Sequence, residues 1–280
     1  MAPPLLLHHL LPVVLLLLAA ADALPPSCSE VVTCGGHAVR YPFSLNSSGS
    51  DCGYPGLDLV CYNSTTLILS VMSHQYRVVH IDYRAHTVAV SDDDVLVYGT
   101  GCPRLHVNLS IDYTTSWLQL TPSDSNITFL YGCKKNFTSP SAVVLRGCRD
   151  DGTRSYVLPD GLVTGTEAYE YECEEVVVAP VLDMHRKALI GAGGGGGAPA
   201  PVDASFGPGG ALWAGFELTY DTHSQQCDEC ERSGGWCGYQ RNETHGGMNF
   251  TCFCNNGPAE AARCGTASEQ PDGIADGGPS

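Results

Sequence analysis

The cysteines are the residues of this sequence whose type and spacing are best suited to chemistry, and there are fourteen of them. Six fall late in the chain, where Cys227-x2-Cys230 and Cys252-x-Cys254 could form a four-thiolate zinc site. The same spacing is also typical of a small disulfide knot made of turns and short strands. The redox state of the compartment decides between the two, because zinc requires reduced thiols.

The N-terminus predicts an oxidising compartment. Residues 1–23 have the form of a signal peptide, with an apolar run from Leu10 to Ala21 and the cleavage signal Ala21-Asp22-Ala23. This run is shorter than the roughly 18 apolar residues that a membrane-spanning helix needs. We therefore expect a secreted, extracellular chain whose cysteines form disulfides and which holds no metal or other cofactor.

The cysteine and sequon counts agree with secretion. Eight cysteines lie early and six lie late, so each group can pair within itself: Cys28, Cys34, Cys52, Cys61, Cys102, Cys133, Cys148 and Cys173, then Cys227, Cys230, Cys237, Cys252, Cys254 and Cys264. Seven Asn-x-Ser/Thr sequons predict N-glycosylation at exposed positions, namely Asn46, Asn63, Asn108, Asn126, Asn136, Asn242 and Asn249.

The charge of the chain excludes some classes of partner. The formal net charge is −16 at pH 7, and a chain this acidic is not expected to bind nucleic acid or an anionic membrane surface through its overall field. No second apolar run has transmembrane length. We expect the mature chain to be soluble and extracellular.

Short β-branched and aromatic runs, separated by Gly, Pro, Asn and Ser, predict a mainly β, disulfide-rich fold. The candidate strands are Val39–Phe43, Leu57–Tyr62, Leu67–Met72, Tyr76–Tyr83, Thr87–Val90, Trp117–Leu120, Ile127–Leu130, Ala142–Leu145 and Tyr169–Val178. Helix signals are nearly absent. Because few of these strands carry enough apolar area to be stable alone, we expect two β lobes stapled by disulfides, followed by a small C-terminal cysteine knot.

Three further segments complete the predicted architecture. The run G-F-E-L-T-Y alternates so that Phe216, Leu218 and Tyr220 share one face of a half-buried strand. The tract from Gly191 to Gly210 is mostly Gly, Ala and Pro and is expected to be an unstructured loop. Residues 265–280 have the composition of a disordered tail.

The motifs resemble the extracellular region of plant wall-associated and leaf-rust-resistance-type receptor-like kinases. The first part resembles their galacturonan-binding domain, through C-G-G at Cys34, Y-P-F at Tyr41, L-V-C at Leu59 and Y-R-V-V-H-I-D-Y at Tyr76. The stretch with Gly215-Phe216, Cys227-x2-Cys230, S-G-G-x-C-G and F-x-C-x-C resembles the family's C-terminal region.

The resemblance implies a galacturonan-binding domain over residues 24–100 and a wall-associated receptor kinase C-terminal domain over 101–264, with an insertion at 191–210. It also implies binding of pectin in the plant cell wall. The sequence departs from the receptors in having neither a membrane helix nor the kinase motifs, so no enzyme activity is expected. Either the chain is a secreted stand-alone member, or it is a shortened receptor that belongs at the plasma membrane.

Candidate ligand contacts follow from the chemistry of a uronate polymer. Arginine donates two parallel hydrogen bonds to a carboxylate, and a tyrosine ring offers a flat face to sugar C–H groups. The candidates are Arg40, Tyr41, Tyr54, Arg77, His80 and Arg84. An alternative stays open for Tyr41 and Tyr54, which could be core or turn residues. Arg77 and His80 fall on opposite faces if their strand is regular, and then at most one of them faces the ligand.

The acidic chain and an acidic ligand conflict less in this segment. Residues 24–91 hold four acids and three arginines, a net charge of −1, together with four histidines. Histidine has an unperturbed pKa of about 6.5, so the segment is expected to turn positive in a mildly acidic wall.

A rival hypothesis is a disulfide-rich ectodomain that binds a receptor or peptide and has no sugar site. The late cysteines favour it, because their spacing resembles an EGF-like module. That resemblance implies the pairs Cys227–Cys237, Cys230–Cys252 and Cys254–Cys264.

Overall fold

The described part of the chain is extensive but interrupted. The computed structural model describes residues 27–46, 51–72, 74–93, 102, 104–109, 117–136, 142–145, 148, 152–159, 169–193, 208–221, 224–241, 248–255, 257–259 and 261–265. The predicted signal peptide lies outside these residues, as do Asn242, residues 194–207 of the predicted loop and all but the first residue of the predicted tail.

The N-terminal third is built of short strands that follow a 3-10 turn at Ser27–Ser29. The strands are β1 Val32–Cys34, β2 His37–Val39, β3 Ser44–Leu45, β4 Asp58–Tyr62, β5 Thr66–Val71, β6 His74–Asp82 and β7 Thr87–Asp92. Strands β4 to β7 form an antiparallel meander joined by tight turns.

The described residues after Asp93 add further strands and three helices. In chain order these are β8 Leu118–Leu120, β9 Asp124–Cys133, β10 Val143–Val144, β11 Arg154–Leu158, β12 Glu175–Leu182, α1 Asp183–Gly193, α2 Pro208–Ala214, β13 Phe216–Tyr220, α3 Gln225–Arg232, β14 Trp236–Arg241, β15 Met248–Cys254 and β16 Gly257–Ala259. The fold is mostly β and disulfide-rich, as predicted.

The largest sheet combines strands from distant parts of the sequence. Its order is β3-β4-β5-β6-β7-β13-β8. Strand β13 pairs with β7, with Phe216 opposite Val90, and its alternation buries Phe216, Leu218 and Tyr220 as predicted. The sheet therefore contains strands from both sides of the domain boundary that was expected near residue 100.

Three smaller sheets complete the described structure, and the first is the two-stranded hairpin of β1 and β2. The order β10-β11-β9-β12 forms a second sheet with its own core around Phe129 and Val157, and β14-β15-β16 forms the sheet of the C-terminal knot. Asp124, on β9, connects this second sheet to the largest sheet. Its carboxylate accepts hydrogen bonds from the Glu217 amide of β13, at 3.0 Å, and from Thr121.

Several predicted elements were wrong. Val39–Phe43 is not a strand, because β2 ends at Val39 and the chain turns at the Tyr41-Pro42 bond. Tyr169–Val178 enters a strand only at Glu175. Helices α1 and α2 extend into both ends of the tract from Gly191 to Gly210, which was predicted to be a loop. Packing of α1 on β9 and β12, and of α2 on β7 and β12, stabilises these helices despite the low helix propensity of the glycines at their ends.

All fourteen cysteines are bridged, so their thiols are not free to bind zinc. The seven bridges are Cys28–Cys52, Cys34–Cys61, Cys102–Cys148, Cys133–Cys173, Cys227–Cys237, Cys230–Cys252 and Cys254–Cys264. The last three are the pairs that the EGF-like spacing implies. Helix α3 carries Cys227 and Cys230 on its buried side, and it ends at Arg232, directly before Ser233-Gly234-Gly235.

The C-terminal knot is attached to the N-terminal segment by two sets of contacts. The Gly53 amide donates to the Cys237 carbonyl and the Tyr239 amide donates to the Asp51 carbonyl, both at 2.9 Å. In addition, the hydroxyls of Tyr41 and Tyr54 both donate to one carboxylate oxygen of Glu231 on α3. Burial raises the pKa of both tyrosines, so they remain neutral donors at physiological pH.

Gly238→Ala is expected to loosen this attachment. A Cβ at residue 238 would lie 2.2 Å from the Asp51 carbonyl oxygen and 2.9 Å from the Cys52 Cα, and both are backbone atoms that cannot move independently. We expect a loss of about 1–3 kcal/mol, measured by thermal unfolding of the whole chain. Gly265→Ala is the control, since a Cβ there meets nothing within 4 Å; equal stability of the two variants would contradict the proposed close approach.

Glu231→Gln tests the carboxylate separately. The variant keeps the shape of the side chain but removes the charge that strengthens both tyrosine hydrogen bonds, so we expect a loss of about 1.5–3 kcal/mol. Glu229→Gln is the matched control on the same helix, because its ion pair with Arg263 is 3.4 Å long and lies near the surface. The structural role of Glu231 is refuted if both variants unfold at the same temperature.

Candidate functional site

Cationic and aromatic side chains gather where β6 turns into β7. We call this group the turn cluster and define it as Arg40, His80, Tyr83, Arg84 and His86. Arg40 follows β2 directly, whereas the other four come from the end of β6 and the turn after it. Arg40, His80, Arg84 and His86 are exposed and Tyr83 is half-buried. The turn that joins the paired strands β6 and β7 positions the cluster.

Tyr83 is the fixed centre of the cluster. The Arg40 guanidinium carbon lies 4.3 Å from the centre of the Tyr83 ring, within the range of a cation–π interaction. The Tyr83 hydroxyl accepts a hydrogen bond from the Arg40 amide and donates one to the Ala38 carbonyl, both at 3.0 Å. These contacts hold the base of Arg40 in place while its guanidinium faces solvent.

Asp82 stabilises the turn by accepting hydrogen bonds from its main chain. Its carboxylate accepts hydrogen bonds from the Arg84 amide at 2.8 Å and the Ala85 amide at 3.0 Å. Both hydrogen bonds lower the pKa of Asp82, the Ala85 bond more than the Arg84 bond. The nearby charges of His80 and Arg84 lower this pKa further. Asp82 therefore stays ionised in mildly acidic solution.

The far side of the turn rests on the core. The His86 ring stacks on Tyr220 with centroids 5.5 Å apart and planes 13° from parallel. Tyr220 in turn packs edge-on against Phe43, with centroids 4.8 Å apart. An exposed imidazole is thus supported from beneath by buried aromatic rings.

A β-bulge changes the expected placement of His80. The pairing of β6 with β7 shifts register between Val78 and His80, so that Val79 and His80 are both exposed in succession. Arg77 and His80 therefore both lie on the outward side of the strand, because the strand is not regular and the opposite-face placement expected for a regular strand does not apply. The bulge brings His80 to the turn cluster.

The remaining candidates lie elsewhere. Arg77 is ion-paired, with its Nη2 atom 2.8 Å from an Asp93 carboxylate oxygen, and is three residues, about 10 Å, along the strand from His80. Tyr54 is buried, and the hydroxyls of Tyr41 and Tyr54 are engaged by Glu231. Both tyrosines therefore have the core or turn role that was left open for them above, and their hydroxyls are not available to a ligand.

Sequence reasoning missed Tyr83 and His86 as site residues. Tyr83 stands at the end of a predicted strand, and only the fold shows that Arg40, 43 residues earlier, lies over its ring. The signal that could have found them is the run Tyr83-Arg84-Ala85-His86, which puts three ring or cationic side chains into one hairpin turn.

Six of the seven predicted sequons fall on described residues, and all six asparagines are exposed. They are Asn46, Asn63, Asn108, Asn126, Asn136 and Asn249. Among the helices that the structure describes, none is long and apolar enough to cross a membrane.

Comparison with known proteins gives two family matches. Residues 28–92 match the model described as wall-associated receptor kinase galacturonan-binding, and residues 147–257 match wall-associated receptor kinase C-terminal. The turn cluster lies wholly within the first match. No solved structure gives a significant match.

Curated relatives come from Arabidopsis thaliana. The chain is 27% identical over 250 residues to leaf rust 10 disease-resistance locus receptor-like protein kinase-like 2.8, which covers 85% of this chain and 25% of the relative. It is 37% identical over 62 residues to kinase-like 2.3 of the same series, covering 22% of this chain and 10% of that relative.

The chain therefore spans about a quarter of the first of these relatives. Both matched models describe ectodomain-type segments, and no kinase domain is detected in this chain. The two matches, in the same order as the motifs described above, show that this chain contains an extracellular region of the wall-associated receptor kinase type.

Proposed function

We propose that this chain binds an acidic polysaccharide of the galacturonan class through the turn cluster, as a receptor-like region at the cell wall. The observation that carries the proposal is the Arg40 guanidinium held over the Tyr83 ring next to the exposed Arg84. This arrangement lies inside the segment that matches the galacturonan-binding family model.

The two arginines of the cluster are available to a carboxylate. Among the residues that the structure describes, neither Arg40 nor Arg84 has an ion-pair partner, in contrast to Arg77 with Asp93. A guanidinium can donate two parallel hydrogen bonds to a uronate carboxylate. Because Arg40 is already oriented by Tyr83, less conformational entropy is lost when it binds.

The histidines supply both a sugar surface and a charge that depends on pH. One face of the His86 ring is stacked on Tyr220, which leaves the exposed ring to contact sugar C–H groups. Arg40 and Arg84 outnumber Asp82, so the turn and Arg40 together carry a net charge of +1 before the histidines are counted.

We expect the whole mature chain to bind de-esterified oligogalacturonide more tightly at pH 5 than at pH 7. Histidine side chains gain protons between these values, whereas Asp82 and the arginines keep their charges, so the cluster becomes more positive as the pH falls. Calorimetric titration at both pH values measures this, with a neutral glucan as the control ligand. Added salt should weaken binding, since exposed ion pairs are screened.

Two outcomes of that titration contradict the proposal. Equal binding of oligogalacturonide and glucan, or no binding of either, would favour the rival hypothesis of a protein- or peptide-binding ectodomain. Tighter binding at pH 7 that disappears on chelation would indicate that calcium bridges two acidic surfaces instead.

Single arginine variants locate the site. Arg40→Gln and Arg84→Gln should each weaken oligogalacturonide binding at pH 5 by about 1 kcal/mol, or roughly fivefold, the upper range for an exposed ion pair. Arg154→Gln is the control, because Arg154 is exposed on β11 of the second sheet and its loss changes the net charge equally. An equal loss of affinity in all three variants would mean that the overall field, not the turn cluster, attracts the polymer.

A further inference from the structure

An apolar patch lies on the outward face of the largest sheet. Val60 and Tyr62 on β4 and Val79 on β6 are 41%, 63% and 47% exposed. Their neighbours in sequence, Leu59 and Val78, face the opposite side and are buried in the core. The three exposed side chains therefore project away from the core into solvent.

Strand register places these three side chains on one face of the sheet, around the half-buried Thr66 and the buried Ile68 of β5. Tyr62 pairs with Thr66 and Val60 pairs with Ile68 across the β4–β5 ladder, and Ile68 pairs with Arg77 across the next. Continuing that register by two residues places Thr66 opposite Val79. The patch thus crosses three strands, about 10 Å at the usual strand spacing.

A sequon stands at the edge of this patch. Asn63 directly follows Tyr62 and begins the sequence Asn63-Ser64-Thr65 in the β4–β5 turn. Asn63 and Ser64 both have positive φ, 50° and 58°, as the two central residues of a tight hairpin turn require. The turn is fixed by hydrogen bonds from the Thr65 amide to the Tyr62 carbonyl, 3.1 Å, and from the Gly35 amide to the Ser64 carbonyl, 3.2 Å.

We propose that an N-linked glycan on Asn63 folds back over Val60, Tyr62 and Val79 and covers the patch. Pyranose rings have apolar C–H faces that pack on aromatic and aliphatic side chains, while their hydroxyls face water. Covalent attachment one residue from Tyr62 gives the glycan a high effective concentration at the patch, so weak contacts suffice.

The size of the patch favours the glycan over a second protein. A stable protein interface buries about 1,200–2,000 Å² in total, whereas a patch about 10 Å wide offers only a small fraction of that area. An apolar patch left bare would instead promote non-specific association. The glycan thus keeps this face of the sheet from self-associating.

Thr65→Ala tests the proposal, because it removes the sequon but leaves Asn63 in its left-handed turn conformation. Wild type and variant are secreted as the full chain from eukaryotic cells, and the peptide containing Asn63 is weighed to establish occupancy. Hydroxyl-radical labelling of Tyr62 should rise severalfold in Thr65→Ala, and binding of a hydrophobic dye should increase. Asn249→Gln, which removes an exposed sequon of the knot, should change neither.

A second variant separates loss of cover from loss of structure. In Thr65→Ala, replacing Tyr62 and Val79 with threonine should abolish the added dye binding if the patch is its source. An unoccupied Asn63 in the secreted protein, or equal labelling of Tyr62 in wild type and Thr65→Ala, would overturn the proposal. Neither measurement uses a galacturonan, so the result is independent of the polysaccharide-binding proposal.

Discussion

The pairing of β13 with β7 is the constraint on which the described structure depends. Strand β13 arrives from beyond the glycine-rich tract, yet it supplies Phe216, Leu218 and Tyr220 to the core beneath β4 to β7. Its approach requires a glycine at its start, since a Cβ on Gly215 would lie 1.9 Å from the Val90 carbonyl oxygen. The segment matched to the galacturonan-binding family therefore completes its core with residues from far along the chain.

This constraint also determines how rigid the turn cluster is. Tyr220, at the end of β13, supports His86 from below and contacts Phe43, which packs edge-on against Tyr83 at 6.1 Å. The exposed cations thus rest on a series of aromatic rings that contact one another and extend into the core. A site held this way loses little side-chain entropy when it binds a ligand.

Local pattern predicted much of the fold and part of the site. Alternating apolar residues identified β13 and most of the meander, because period-two burial is encoded within each strand. Arg40, His80 and Arg84 were candidates by side-chain chemistry alone. The bulge at His80, the burial of Tyr54 and the position of Arg40 over Tyr83 could not be predicted, since each depends on contacts between residues remote in sequence. Helices α1 and α2 were missed because packing, not propensity, stabilises them.

The seven bridges divide the described chain into separately cross-linked units. None joins the C-terminal knot to the sheets; that contact consists of main-chain hydrogen bonds, the hydrogen bonds of Tyr41 and Tyr54, and apolar packing of Cys227, Cys237 and Tyr239 on the core of the largest sheet. Separation of the intact knot would therefore need no covalent change, but it would expose the core side chains that these residues cover. Tension along the main chain therefore acts on this non-covalent contact, because a loop closed by a disulfide cannot lengthen until its bridge is broken.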